Sequence, residues 1–213
     1  MLFAELLMRD PARFAAWVTV VAFSVCLHET AHAWAAWQQG DDTAVRNGFG
    51  DMDPRRLMGW PSLLALVILG IAWGAVPVVP ARLRRPWSAA WVSLAGPLTN
   101  LLLAVLFGVG SVLTGQLAPN AEPVALVLRC GLEANCLLAL FNLLPVPPFD
   151  GWTVAAFVVP PLRAVHPDRL SLASWVLLTV LFVFPPASQF IWSSAGALAY
   201  GITHAAGTVI GSF

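Results

Sequence analysis

Charge is scarce in this chain. Aspartate, glutamate, lysine and arginine make up 10% of its 213 residues, whereas a soluble globular domain carries about a quarter. Lysine is absent, so all eleven basic residues are arginine, and eleven acids balance them. With no basic excess to neutralise phosphates, the charge balance argues against a nucleic-acid partner. Cysteine is equally sparse: Cys26, Cys130 and Cys136, an odd count without C-x-x-C spacing. That argues against a disulfide framework and a thiolate metal site, and leaves the three as small apolar core residues. In "MLFAELLMRDPARF" the arginines follow the apolar run and no A-x-A-like site comes after, so no removable signal peptide is expected. No repeat, linker or low-complexity tract divides the chain. One membrane-embedded domain over 1–213 is expected, with its core at about 12–165 and C-terminal helices at about 166–213.

What the chain has instead is apolar sequence: 59% hydrophobic residues and a mean hydropathy of +0.78. A bilayer core needs roughly 20 apolar residues per helix. Segments at about 12–38, 61–79, 88–114, 123–146 and 170–210 qualify or nearly so, the last being long enough for two helices broken at "FPPAS" (184–188). The fold class is therefore an all-α polytopic membrane protein of about five to six membrane segments. A shorter apolar piece, "GWTVAAFVVPPLRA" (151–164), suits a half-helix. Trp34, Trp37, Trp60, Trp87, Trp91 and Trp152 cluster near segment ends, as an interfacial belt does. The longest polar stretch, 39–60, contains Asn47-Gly48, a strong hairpin signal. A short β-hairpin is expected there, with an edge able to hold an unwound substrate by strand addition.

Within the first apolar segment stands "HETAH" (28–32). Ionisable groups at membrane depth are costly and are usually functional. On a helix, His28 and His32 lie on one face and can bind one metal, with Glu29 beside it. This is the H-E-x-x-H logic of zinc hydrolases: the metal acidifies a water and the glutamate takes its proton. A catalytic zinc takes three protein ligands, so a third must come from elsewhere. The candidates are His166, His204 and Asp150. Asp150 stands out because "FNLLPVPPFDGW" would interrupt a helix with three prolines and a glycine. Broken backbone at membrane depth is tolerated where it is buried in protein or lines a watery cavity.

"HETAH", "AGPLTN" (95–100) and "NLLPVPPFDG" (142–151), in this order, resemble the site-2 protease family of zinc-dependent intramembrane metalloproteases. "GDDTA" and "AVPVVPARLRRP" resemble its compact bacterial branch, without a PDZ domain. The resemblance covers about residues 15–165. It implies one zinc per chain held by His28, His32 and Asp150, with Glu29 as general base. It also implies Asn142 and Asn100 as substrate-binding residues and a site-shaping role for Gly96 and Pro97. The implied activity is hydrolysis of peptide bonds within transmembrane segments, on a single-pass membrane substrate in a bacterial inner membrane. Two positions depart from the family pattern: Trp152 replaces a second glycine, and Asp42 replaces a proline. The alternative is a non-proteolytic zinc-binding membrane regulator, although neither Glu29 nor a ligand is lost. A transporter would show paired halves, and no such repeat is present.

If those ligands meet at one depth, the helices leading to them must run in the same direction. Segment 61–79 should then turn back instead of crossing. Arg46, Arg55, Arg56, Arg82, Arg84, Arg85, Arg163 and Arg169 would share one side. By the positive-inside rule that side is cytoplasmic, and the active site opens towards it.

Overall fold

The computed structural model describes residues 3–165, 176 and 184–211. Its main helices are α1 (Pro11–Gln38), α2 (Gly59–Leu69), α3 (Ser88–Leu117), α4 (Glu122–Asn142), α5 (Asp150–Val158) and α6 (Pro185–Ile210). Sequence punctuation explains their ends. Asp10 accepts a hydrogen bond from the Arg13 N–H and Pro11 opens α1, where a missing N–H costs nothing. Prolines likewise open α6, at the break expected from "FPPAS". Asp150–Val158 is the expected half-helix.

Among the described residues, three helices are long and apolar enough to cross a membrane: α1, α3 and α4. This is fewer than the five to six segments expected. α2 has only 11 residues, about 16 Å against a hydrocarbon core of roughly 30 Å. α6 is long enough but diluted by glycine, serine and threonine. Most of 166–183 lies outside the described residues.

The three long helices form the centre. His28 and His32 of α1 meet Asn100 and Val92 of α3 in reverse order, so these helices are antiparallel. Asn135 of α4 meets Ser24, and the chain beyond α4 arrives beside His28, so α4 runs parallel to α1. One apolar cluster joins Val20, Val21 and Val25 to Leu57, Leu66 and Ala134. A second joins Ala104, Leu132, Cys136 and Leu137 to Ile191 and Ala195 of α6. Leu98, Leu102 and Leu106 point outward from α3, an exposed apolar stripe suited to lipid. All three cysteines are buried free thiols, as expected.

Residues 39–60 do not form the expected hairpin; the described residues contain no β-strand. Asn47 has φ −87°, so the Asn-Gly pair cannot make the hairpin turn, which needs positive φ at both residues. Gly48, with φ +76°, instead closes the short helix Thr43–Arg46. Its N–H bonds the Val45 carbonyl and the Phe49 N–H bonds the Ala44 carbonyl, which is a Schellman cap. The same dipeptide suits either turn, and the preceding helical residues decide.

Segment 61–79 goes out and comes back. α2 ends at Gly70, whose φ of +75° favours glycine, and the Trp17 indole donates to the Gly70 carbonyl. Residues 71–79 then return without helix, turn or bend. The Ala75 N–H reaches the Leu57 carbonyl, which places the end of the excursion beside its start. The return segment alternates with period two. Ile71, Trp73, Ala75 and Val79 are exposed, while Ala72, Gly74, Val76 and Val78 are half-buried against the protein; Pro77, also half-buried, interrupts the alternation. Trp73 exchanges both backbone bonds with the Ser62 hydroxyl, and the Val79 N–H donates to Asp41. This is the backbone pattern of an extended chain bonded along one edge.

Asp41 ties the return segment to the end of α1. Its carboxylate is fully buried and accepts from the Val79 N–H, the Thr43 N–H and the Thr43 hydroxyl. Burial pushes its carboxyl up, but bonds from Thr43 and Val79 and the nearby Arg82 together bring it below the usual carboxylate value. A lowered folded-state pKa stabilises the fold above the unfolded value and ceases to do so as pH falls through the folded one. Asp41→Asn turns an amide donor towards donors already present. It should destabilise the detergent-solubilised protein by about 1–3 kcal/mol, read as a lower melting temperature at neutral pH. The difference from wild type should shrink as the pH drops below that of an ordinary carboxylate.

Candidate metal centre

The site is assembled where α1, α3 and α5 meet. His28 and His32 stand one turn apart on α1. On α3, Val92, Gly96 and Asn100 follow at intervals of four and so share one face. Gly96 has no side chain where the two rings pass: a Cβ there would overlap the His28 and His32 imidazoles. Pro97, inside α3, deprives the Ser93 carbonyl of its usual helical donor, and Ser93 lines the cleft. Gly151 packs against the Leu143 and Leu144 backbone at the end of α4, where a Cβ would overlap their carbonyls. This close approach brings Asp150, the first residue of α5, to the histidines.

The His28 Nε2 lies 3.2 Å and the His32 Nε2 3.3 Å from the Asp150 Oδ2, and the two nitrogens are 2.9 Å apart. Each imidazole is held from behind. The His28 Nδ1 is 2.6 Å from the Asn100 Oδ1, and the His32 Nδ1 is 2.7 Å from the Val92 carbonyl. Both partners accept only, so both Nδ1 atoms carry hydrogen, and in the neutral rings that a metal binds both Nε2 atoms present lone pairs. Three acceptors therefore converge with no hydrogen between them. Such a set repels itself unless a cation sits at its centre. The edges of a tetrahedron with zinc–ligand bonds of about 2.0–2.1 Å are about 3.3 Å, close to the observed spacing. The donor set fits zinc.

A cleft of about 360 Å³ opens onto this cluster, lined by Glu29, Gly74, Ser93, Asn142 and Thr153 among others. Glu29 is 6% exposed and has no hydrogen-bond partner among the described residues, so its carboxylate is free to serve the cleft. Gly74 of the return segment lies against it; a Cβ there would overlap the Glu29 side chain. Asn142 lines the cleft and gives one amide hydrogen to the Leu138 carbonyl. Asn100, the other residue that the resemblance implies as substrate-binding, lies elsewhere. It is wholly buried behind His28, where it supports the ring, and it is not among the residues that line the cleft. His204 sits on α6 beside Tyr200, away from the cluster, and His166 lies outside the described residues.

Two buried residues escaped the sequence reading. Asn135 and Ser24 are wholly buried and continue the polar chain behind Asn100. The available signal was an amide and a hydroxyl, each flanked by apolar residues within a long apolar helix.

Residues 16–126 match the sequence profile of peptidase family M50, more than half of the chain. The chain belongs to peptidase family M50. It is 30% identical over 187 residues to "Putative zinc metalloprotease YwhC" of Bacillus subtilis (strain 168), covering 84% of this chain and 85% of that protein. It is 35% identical over 209 residues to "Putative zinc metalloprotease Rip2" of Mycobacterium tuberculosis (strain ATCC 25618 / H37Rv), covering 89% and 77%. An archaeal relative, "Putative zinc metalloprotease MJ0611" of Methanocaldococcus jannaschii, is 32% identical over 127 residues, covering 58% and 60%. No solved structure matches. The profile match in this M50 protein ends before Asp150, so it is the fold that brings the third acceptor to the two histidines.

Gly96→Ala should place a methyl group among the imidazoles and abolish zinc retention. Zinc per chain by atomic emission on purified protein checks this; a full equivalent in a folded variant would contradict the close approach of α3.

Proposed function

We propose that this M50 protein is an intramembrane zinc endopeptidase that cuts membrane-anchored, single-pass substrates within their membrane segments. The observation that carries the reading is the convergence of three acceptors beside an unpaired glutamate, in a cleft among apolar helices. His28, His32 and Asp150 would hold the metal. When bound, zinc supplies a Lewis acid that polarises the scissile carbonyl and eases ionisation of water. Glu29 takes a proton from the attacking water and later delivers it to the leaving amine. Asn142, on the cleft wall, holds the substrate backbone.

A helical substrate hides its peptide bonds and must present them as extended chain. The return segment 71–79 suits that task better than the polar stretch 39–60. Its inward edge is used by Ser62, Leu57 and Asp41. Proline at position 77 has no N–H to leave unpaired on that edge. The N–H groups of Gly74, Val76 and Val78 belong to the other edge and have no partner among the described residues. These three residues line the cleft, so an extended substrate could pair with them by strand addition.

Arg46, Arg55, Arg56, Arg82, Arg84 and Arg85 lie on the segments that follow α1 and lead into α3, at the cleft end. Arg9 and Arg13 lie at the opposite end of α1. The positive-inside rule then supports a cleft opening to the cytoplasm.

Glu29→Gln should bind zinc normally and cleave a membrane-anchored reporter at least a thousandfold more slowly. Asp150→Ala should lose both zinc and cleavage. A fully active Glu29→Gln protein would overturn the mechanism, and an Asp150→Ala protein with full zinc would remove Asp150 from the ligands. Val76→Pro deletes an outward N–H and leaves the inward bonds intact. It should lower reporter kcat/KM about tenfold, the worth of about one hydrogen bond, with zinc content unchanged. Unaltered kcat/KM would dismiss strand addition at this edge.

A further inference from the structure

We propose that Asn135 is a positioning residue whose amide, acting through Asn100, fixes which nitrogen of His28 is free to face the cleft. The inference rests on the metal-site reading above and extends it to residues remote from the ligands.

The argument starts at a group with no choice. The Gly131 carbonyl can only accept, and it lies 2.9 Å from the Asn135 side-chain amide. That end of the amide must be the NH2. The Asn135 Oδ1 therefore faces the other way, 2.9 Å from Asn100, and the facing atom of Asn100 must be its Nδ2. What remains of Asn100 is its Oδ1, and this is the atom 2.6 Å from the His28 Nδ1. His28 must then carry hydrogen on Nδ1, and its neutral ring has the lone pair on Nε2. Direction thus passes from a backbone carbonyl of α4, through two amides on two helices, to a ring on a third. Ser24, Asn100 and Asn135 are fully buried, so no solvent can stand in for a missing partner. His32 needs no such chain because the Val92 carbonyl sets its tautomer directly.

Without the Asn135 amide, Asn100 could turn its NH2 towards His28. His28 would then accept at Nδ1 and carry hydrogen on Nε2, where Asp150 waits as an acceptor. The emptied site would be internally satisfied and closed to a cation. Ser24 plays no directional part. Its hydroxyl, 2.9 Å from the Asn135 amide, can both donate and accept and so imposes nothing.

The test is zinc affinity of the full chain in detergent, measured by competition with a chelating dye. Melting of each protein in excess chelator is followed in parallel. Asn135→Leu should bind zinc at least tenfold more weakly, within the 10–100-fold range typical when an outer partner of a ligand is lost. Ser24→Ala should stay within about threefold of wild type. Asn135→Asp should also stay close to wild type. A carboxyl group still only accepts from Asn100, and in its protonated form it donates to Gly131 as the amide does. Wild-type affinity in Asn135→Leu would overturn the proposal. Equal losses in Ser24→Ala and Asn135→Leu would do so too, because they would reflect lost polarity and not lost direction. Should Asn135→Leu not fold, Asn135→Asp carries the test: folded and binding supports the relay, folded and zinc-free overturns it. A wild-type protein that binds no zinc would instead overturn the metal-site reading itself.

Discussion

The structure depends on the pinning of two imidazoles from behind. Hydrogen on each Nδ1 is committed to an acceptor on α3, so each neutral ring offers the lone pair of its Nε2 to the cleft. That commitment turns a pair of histidines in an apolar helix, otherwise a cost, into two-thirds of a cation site. It also dictates the spacing of the core. α3 must come close enough to reach both rings, which Gly96 permits, and α5 must come close enough to supply the third acceptor, which Gly151 permits. The two glycines of the sequence motifs are therefore points of contact between backbone and functional groups.

Chain direction follows from the same requirement. α1 and α4 approach the site from the same end, which is possible because α2 turns back at Gly70 and α3 alone makes the return between them. The excursion and its return place an extended backbone beside Glu29. Asp41 and Ser62 hold that backbone with side-chain bonds, since it has no neighbouring strand to pair with. A buried aspartate three residues beyond α1 is thus as much part of the cleft as the residues that line it.

Much of the site was legible in the sequence. The i, i+4 spacing of His28 and His32 and the proline-rich break before Asp150 were both visible, and the need for parallel α1 and α4 foretold the turn of segment 61–79. The Asn47-Gly48 pair misled because a hairpin turn and a helix cap ask for the same glycine, and only the φ of Asn47 separates them. Asn100 came only as part of a motif, and a motif gives neighbours in sequence but not the face on which each side chain lies; in the fold its amide stands behind His28. Ser24 and Asn135 gave a weaker signal still: small polar groups in apolar helices acquire meaning only when three helices bring them together.

The contact between Gly74 and Glu29 makes the return segment a ruler. An extended chain advances about 3.3–3.4 Å per residue, so the outward groups at 74, 76 and 78 are graduations about 7 Å apart, with zero set at the Glu29 carboxylate. Beyond Gly74 in the other direction the chain heads for the turn at Gly70 and leaves the cleft. A substrate paired along this edge would be measured on one side of its scissile bond only, over about four residues. Sequence preference would then be asymmetric about the cut, strict on the measured side and lax on the other.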